Sequence, residues 1–271
     1  QVHQMTWDDL LTWAKKLYAI GHPVGYGISQ LDVDVDAPPY AMLWSNGTST
    51  VDKNLNVIID SAGSYKVVEY VKELAKYMPP DIYGWDGGSN NRFILSGLGS
   101  WTTNPPSIYA VALRDFPELA KNLDHAMFPA GPLGHFHTAV AYSFSVWKFA
   151  PEERRDLVID LIKFLFQKDN QDAQIQASTG YNIPLHRDLQ KHPIWREIPA
   201  LNSCVAPGRI VHNFGWPGPV CAAAQKVLMM HVVPMMTGKA IMGMPTQEAI
   251  DWAEAEIERY YKEERVARGM Q

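Results

Sequence analysis

The stretch Phe93-Ile94-Leu95-Ser96-Gly97-Leu98-Gly99-Ser100-Trp101-Thr102-Thr103-Asn104-Pro105-Pro106-Ser107 carries the reading of the fold. Phe93 to Leu95 reads as the end of a short apolar helix stopped at Gly97, and Gly99 to Thr103 as a buried strand. Asn104-Pro105-Pro106 breaks that strand, and Ser107 carries the hydroxyl that can cap the next helix. Helix, strand, helix in close succession is the alternation of an α/β layer architecture.

The flanking sequence repeats the pattern. Upstream, Thr6 can cap a helix whose apolar residues Trp7, Leu10, Leu11, Ala14, Leu17 and Tyr18 follow helical spacing up to Gly21-His22-Pro23. Gly25 to Ser29 reads as a strand, followed by a polar loop and a helix holding Tyr40, Leu43 and Trp44, stopped by Asn46-Gly47. Val51 to Ile59 reads as short extended pieces. Ser61 then opens a helix with Val67, Val68, Val71, Leu74, Ala75 and Met78 on one face, ended by Pro79-Pro80.

Downstream, His125 to Phe128 reads as a strand ending at Pro129-Ala130-Gly131-Pro132. Thr138 to Lys148 alternates strictly, with Val140, Tyr142, Phe144 and Val146 on one side. Pro151 suits the first turn of a helix with Leu157, Leu161, Ile162, Leu165 and Phe166 inward, and a second helix runs from Asn170 to Gly180. Residues 184–213 read as irregular. One closing helix spans about Pro219 to Val233; another is capped by Thr246 with Ile250, Ala253, Ile257 and Tyr260 inward.

Composition bounds the function. The 271 residues are 46% hydrophobic and 20% charged, with 24 Lys and Arg against 29 Asp and Glu, giving a formal charge of −5. A mildly acidic chain with no basic block lacks the electrostatic footprint of nucleic-acid binding. No apolar run approaches the roughly 20 residues of a membrane span. Gln1 to Met5 shows neither the charged nor the apolar region of a signal peptide. Walker, Gly-x-Gly-x-x-Gly, Gly-x-Ser-x-Gly and His-Glu-x-x-His signatures are all missing, and no cofactor is indicated.

Three clusters invite chemistry. Asp32-Val33-Asp34-Val35-Asp36 begins like a calcium loop, but the sixth position is Ala37 rather than Gly and the twelfth Leu43 rather than Glu, so it reads as a solvated loop. His135-Phe136-His137 puts two imidazoles on one side of an extended chain, a metal-like spacing with no further ligand near it in sequence; no metal site is assigned. Cys204 and Cys221 are spaced for one short-loop disulfide or are two buried thiols, and both readings stay open.

The aromatics carry most. Of nine Trp and twelve Tyr, several stand beside Gly, Pro or Asn outside periodic helix positions: Trp44, Trp85, Trp101, Tyr181 and Trp216. Rings with neighbouring amides suit sugars, whose apolar faces stack while their hydroxyls are hydrogen-bonded. The competing reading is core filling. An enzyme reading would need paired carboxylates flanking a cleft, and Asp86 beside Trp85 has no identifiable partner.

In order, Thr6-Trp7-Asp8-Asp9-Leu10, Trp44-Ser45-Asn46-Gly47 with Val51-Asp52, Phe93 to Gly97 leading into Trp101-Thr102, and Phe128 to Pro132 form a series. It continues through Asp172-Ala173-Gln174 and Thr179-Gly180-Tyr181-Asn182-Ile183-Pro184 to the closing helix Thr246 to Ile257. This series resembles the extracellular (periplasmic) solute-binding proteins of ABC importers, the sugar-binding type that maltose-binding protein exemplifies. The resemblance implies an α/β, two-lobed periplasmic-binding-protein fold of type II kind, with the start of the first lobe absent from this chain. It implies residues 1–134 as the first part of the second lobe, 138–210 as a returning segment of the first, and 216–271 as the second lobe's closing helices.

The same resemblance implies a small polar ligand held in the interlobe cleft, a membrane permease as partner, an extracytoplasmic location and a monomeric state. It places Tyr40 or Trp44 at the aromatic position after the early loop, Asn104 and Ser107 in the loop after the buried strand, and Phe214 and Trp216 before the penultimate helix. The candidate ligand-binding set is therefore Tyr40, Trp44, Trp85, Trp101, Asn104, Ser107, Tyr181, Phe214 and Trp216.

Overall fold

The computed structural model describes residues 4–28, 33–139, 143–184, 186–205 and 211–270. Helix α1 (Trp7–Ala19) opens on a reciprocal cap: Thr6 Oγ1 accepts from Asp9 N at 3.1 Å, and Asp9 Oδ2 accepts from Thr6 N at 2.9 Å. Its inner face is Trp7, Leu10 and Ala14; Tyr18, expected inside, lies exposed. Helix α3 (Ala62–Ala75) is capped by Ser61, whose hydroxyl accepts from Ser64 N, and buries Val67, Val68, Val71 and Leu74.

Helix α2 (Ala37–Ser45) is apolar nearly all round and buried nearly all round, as such a helix must be. It packs on α3 and on α12 (Val232–Ile241), which in turn packs on the other closing helices, α11 (Ala222–Met229) and α13 (Thr246–Ala267). Val233, Met236, Ile250, Ala253, Ile257 and Tyr261 fill the space between them. Each fully buried aliphatic side chain there contributes about 1.5–3 kcal/mol of transfer free energy. Tyr261, not Tyr260, is the inward residue at the end of α13.

Two helix boundaries differ from expectation. The single helix expected over 219–233 is two, because His231 stands between α11 and α12 at φ +49°. Thr246 is the first residue of α13 rather than its cap; its hydroxyl bonds Glu69 on α3 and accepts from Lys72 Nζ at 3.1 Å, tying the two helices together.

The expected strands pair far less than their patterns suggest. Among the described residues one parallel pair forms a sheet, β1 (His137–Thr138) with β2 (Val211–His212). The segments predicted as strands at 25–29 and 99–103 do lie side by side, joined by a parallel bridge Val24 to Trp101 and by Gly25 N donating to Trp101 O at 2.9 Å. They form no longer ladder. A Cβ at Gly99 would fall 2.1 Å from the Phe93 ring, so this backbone is pressed onto helix α4 (Ser89–Leu95) rather than laid along a strand. His125 to Phe128 and Ser143 to Lys148 are not strands; Ser29, Asp32 and Val140 to Tyr142 lie outside the described residues.

The chain divides into two compact units. The larger holds Gln1–Asn104, Ala126–Ala139 and Pro207–Gln271, with α1 to α4, both strands and α11 to α13. The smaller holds Pro105–His125 and Val140–Ala206: α5 (Ser107–Asp115), α6 (Pro117–Ala120), α7 (Glu152–Leu165), α8 (Lys168–Ala177), α9 (Ile194–Glu197) and α10 (Asn202–Val205). Its core gathers on Trp195 and Leu201, with Trp195 Nε1 donating to Leu189 O at 3.0 Å. Helix α7 departs from expectation: Leu157, Leu161 and Phe166, expected inside, are exposed, and none of its residues is fully buried.

Candidate functional site

In the larger unit, α2, the residue before β1, and β2 with the segment after it bring six aromatic rings together. Tyr40 and Trp44 project from α2, each about 1% exposed or less. Phe214 meets Tyr40 edge-on at 5.0 Å, and Trp216 meets Trp44 edge-on at 5.8 Å. His212, on β2, stacks on Trp216 at 4.1 Å and 18° and meets Trp44 edge-on at 5.8 Å. Phe136 completes the group, 5.8 Å from both His212 and Trp216. Offset and edge-to-face pairs of this kind contribute about 0.5–1.5 kcal/mol each beyond their burial.

Beneath the rings the Trp44 indole N–H is satisfied, whereas the buried Tyr40 hydroxyl has no hydrogen-bond partner among the described residues. Trp44 Nε1 donates to Ser49 Oγ at 3.2 Å, and Ser49 Oγ donates to the Trp216 carbonyl at 2.6 Å. Tyr40 and Trp44 thus form a floor, while His212, Phe136 and Trp216 are half-buried and keep part of each ring at the surface. Burial holds the His212 imidazole below its usual pKa, so it is neutral near pH 7. Burial first, then the charge of Asp36, pushes the Tyr40 hydroxyl well above the usual tyrosine value. An uncharged aromatic surface of this kind can stack a ring-shaped neutral ligand and hydrogen-bond it through an imidazole nitrogen and indole N–H.

Of the nine residues expected to bind ligand, the structure brings together Tyr40, Trp44, Phe214 and Trp216. Trp85 is core: it packs on Phe93 at 5.1 Å and over Gly25, where a Cβ would lie 2.9 Å from its ring. Trp101 is half-buried, edge-on to Tyr26 at 6.4 Å. Asn104 donates through Nδ2 to Asn91 Oδ1 at 2.5 Å. Ser107 and Tyr181 belong to the smaller unit, Ser107 buried as the first residue of α5, whose N-cap is Pro106, and Tyr181 exposed after Gly180.

Sequence reasoning missed Phe136 and His212 as members of the cluster. The signal existed for His212, which stands in register with Phe214 and Trp216 at every second residue. The His135-Phe136-His137 pair does not face a common metal position: both imidazoles hydrogen-bond the backbone of Phe128. Among the described residues no group of three or more His, Cys, Asp or Glu is placed to hold a metal. Asp36 is not solvated; it is fully buried, its Oδ2 2.7 Å from His231 Nδ1. Cys204 and Cys221 are free thiols, so the disulfide reading is set aside. Cys221 instead caps α11, its sulfur accepting from Ala224 N, and burial raises the Cys204 thiol to about 11.

Residues 4–202 match the model of a family described as bacterial extracellular solute-binding protein. The chain is similar to a protein of Brucella abortus named as a binding protein, 25% identical over 198 residues, which is 68% of this chain and 44% of that one. In structure it is similar to the maltose-bound MalE3 of T. maritima, with a TM-score of 0.80 at 20% identity over 94% of this chain and 65% of that one. It is equally similar to an ABC transporter solute-binding protein from Thermotoga lettingae bound with α-D-tagatose, at TM-score 0.80, 14% identity, and 96% and 65% coverage. A sugar transporter structure from Arthrobacter chlorophenolicus with bound laminaribiose gives 0.73 at 14% identity, covering 96% of this chain and 65% of that one. These likenesses establish the two-lobed periplasmic solute-binding fold. The chain spans less than half the length of the Brucella relative and about two thirds of the solved structures.

Proposed function

The chain belongs to the bacterial extracellular solute-binding protein family, and from that membership we propose that it captures a neutral sugar or polyol outside the cytoplasm and presents it to an ABC permease. The observation that carries the reading is the cluster of Trp44, Phe136, His212 and Trp216, an uncharged stacking surface set in a fold whose solved relatives hold maltose, laminaribiose and tagatose. The lobe assignment of 1–134, 138–210 and 216–271 is part of the proposal. Among the described residues no helix is long and apolar enough to cross a membrane, which suits a protein that works with a separate permease.

Calorimetry or thermal shift against maltose, laminaribiose, tagatose and ribitol tests it. At least one should bind, and Trp216→Ala should weaken that binding by about tenfold or more, the worth of a well-packed aromatic contact. No response to any of the four, with a clear shift for a polyamine or a sugar phosphate, would overturn the sugar assignment.

A carbohydrate-cleaving reading finds no support at its one candidate acid. Asp86 is exposed, and bonds from Ser89, the Gly88 amide and Arg92 at 2.7 Å hold its carboxyl down to about 2, too acidic to donate a proton near neutrality. Aryl glycosides should therefore pass through unhydrolysed.

A further inference from the structure

Phe136 reaches the aromatic cluster at the end of a loop, residues 128–137, whose two histidines grip one residue. The Phe128 carbonyl lies 2.7 Å from His135 Nδ1, and the Phe128 amide donates to His137 Nε2 at 2.9 Å. A carbonyl only accepts, so His135 must carry its proton on Nδ1. An amide only donates, so His137 Nε2 must be bare, which makes that ring the neutral Nδ1–H tautomer. Both polar groups of Phe128 are thus satisfied by imidazoles on either side of Phe136. The Phe128 ring also stacks on His137 at 4.9 Å and 27°, and on Trp7 at 6.2 Å and 29°.

The rest of the loop is seated on its neighbours. Leu133 N donates to Ser45 O at the end of α2, Ala130 N to Met5 O, and Gly131 and Gly134 exchange backbone hydrogen bonds at 3.0 Å. His137 then begins β1, beside the strand that carries His212.

We propose that His137, with His135, is a positioning residue: an imidazole clasp on the Phe128 backbone that fixes Phe136 against His212 and Trp216, and that opens when His137 gains a proton at Nε2. The inference rests on reading that cluster as the ligand platform. The two bonds respond differently to acid. His135 donates through Nδ1 whether or not its other nitrogen is protonated. His137 loses its acceptor on protonation, and its new N–H opposes the Phe128 N–H; a cation stacked on the Phe128 ring offsets part of that loss.

The titratable groups on the packed elements are His135 on the same loop, His212 on β2, Tyr40 on α2, Tyr70 on α3 by way of Trp7, and Asp8 and Asp9 in the first turn of α1. Burial, reinforced by His135, holds the His137 pKa down to about 4, so the clasp is closed at neutral pH.

The test compares wild type, His137→Gln and His137→Ala between about pH 7.5 and about pH 3, from above the usual histidine value to below that of His137. It follows tryptophan fluorescence without ligand and the affinity for whichever of the four carbohydrates binds. Glutamine can accept from the Phe128 amide and does not titrate. Wild type should show a fluorescence transition well below pH 6.5 and a parallel loss of affinity of about fivefold, the effect of one hydrogen bond of ordinary strength. His137→Gln should lack that transition, and His137→Ala should resemble acidified wild type already at neutral pH.

A transition of the same size in His137→Gln would overturn the clasp, as would neutral-pH behaviour of His137→Ala equal to wild type. Should the alanine variant fail to fold, ¹⁵N shifts of the wild-type His137 ring decide: an unprotonated Nε2 is expected, and a proton on Nε2 at neutral pH overturns the proposal. If no carbohydrate binds, the ligand reading fails while fluorescence and ring shifts still judge the clasp.

Discussion

His231 holds a left-handed backbone, φ +49° and ψ 39°, that costs an L-residue about 1–2 kcal/mol, and it does so between two helices in the middle of a core. What compensates is on its side chain: Nδ1 lies 2.7 Å from the fully buried Asp36 Oδ2, joining the start of α2 to the junction of α11 and α12. His231→Ala should cost about 3–5 kcal/mol in urea unfolding, since it leaves a buried carboxylate without its imidazole. His231→Gly should be about 1 kcal/mol milder, because glycine relieves the backbone while losing the same pair. An alanine variant as stable as wild type would remove the pair from the account.

The depressed histidines make a second residue-scale prediction. Burial holds both His137 and His212 below the usual histidine value in the folded chain, so below about pH 6.5 the unfolded chain takes up protons the folded one refuses. Their contribution to stability is complete above about pH 6.5 and is lost as the pH falls, that of His137 as it passes about 4. Urea midpoints of wild type should therefore drop across that window more than those of His137→Gln. Equal slopes would sink the assignment.

At the scale of elements, helices were legible because a period of 3.6 states which residues face the core, and α1, α3 and α13 bury most of the residues it names, with Leu11, Leu17, Ala75 and Tyr260 half-buried and Tyr18 exposed. Strands were not, because alternation states a face and never a partner: Gly25 to Ile28 and Gly99 to Thr103 found each other, yet a single bridge is all they make. The site was legible to the same degree. The placing of aromatics beside Gly, Pro or Asn singled out Trp44 and Trp216, which share the cluster although Trp44 sits on helix α2, but it singled out Trp85 as well, and Trp85 fills the hollow left by Gly25. A ring's role depends on what lies across from it, which spacing along the chain does not encode.

Close approach also makes a prediction. A Cβ at Gly131 would fall 2.6–2.8 Å from the side chain and carbonyl of Ser45, so Gly131→Ala must push the 128–137 loop off the end of α2. It should lower stability by about 1–3 kcal/mol and change Trp fluorescence with it. An unchanged thermal midpoint would show that the loop is not seated there.

At the scale of the molecule, the two units differ in how they treat apolar surface. The larger one packs a core between α2, α3 and the closing helices, and its exposed apolar side chains, such as Trp13, Ile20, Leu98 and Leu133, are spread over separate segments. In the smaller one Phe144, Trp147, Phe149, Leu157, Leu161, Phe164 and Phe166 are all more than half exposed. Helix α7 has Val158, Ile162 and Leu165 half-buried on one side while Leu157, Leu161 and Phe164 stand out on the other, and a helix apolar on both sides is one built to be covered on both. Contiguous exposed patches of this sort mark interaction surfaces rather than finished ones. Two measurements on the 271-residue chain follow. Leu161→Ser should change stability by about 0.5 kcal/mol or less, where a buried leucine would cost several, because the side chain is already in water. The folded chain should bind the dye ANS, and the double variant Phe149→Asp, Leu161→Glu should lose most of that binding with its far-UV dichroism intact. A Leu161→Ser variant destabilised like a core mutant, or a folded monomer that ignores ANS, would mean that α7 is covered within this chain after all.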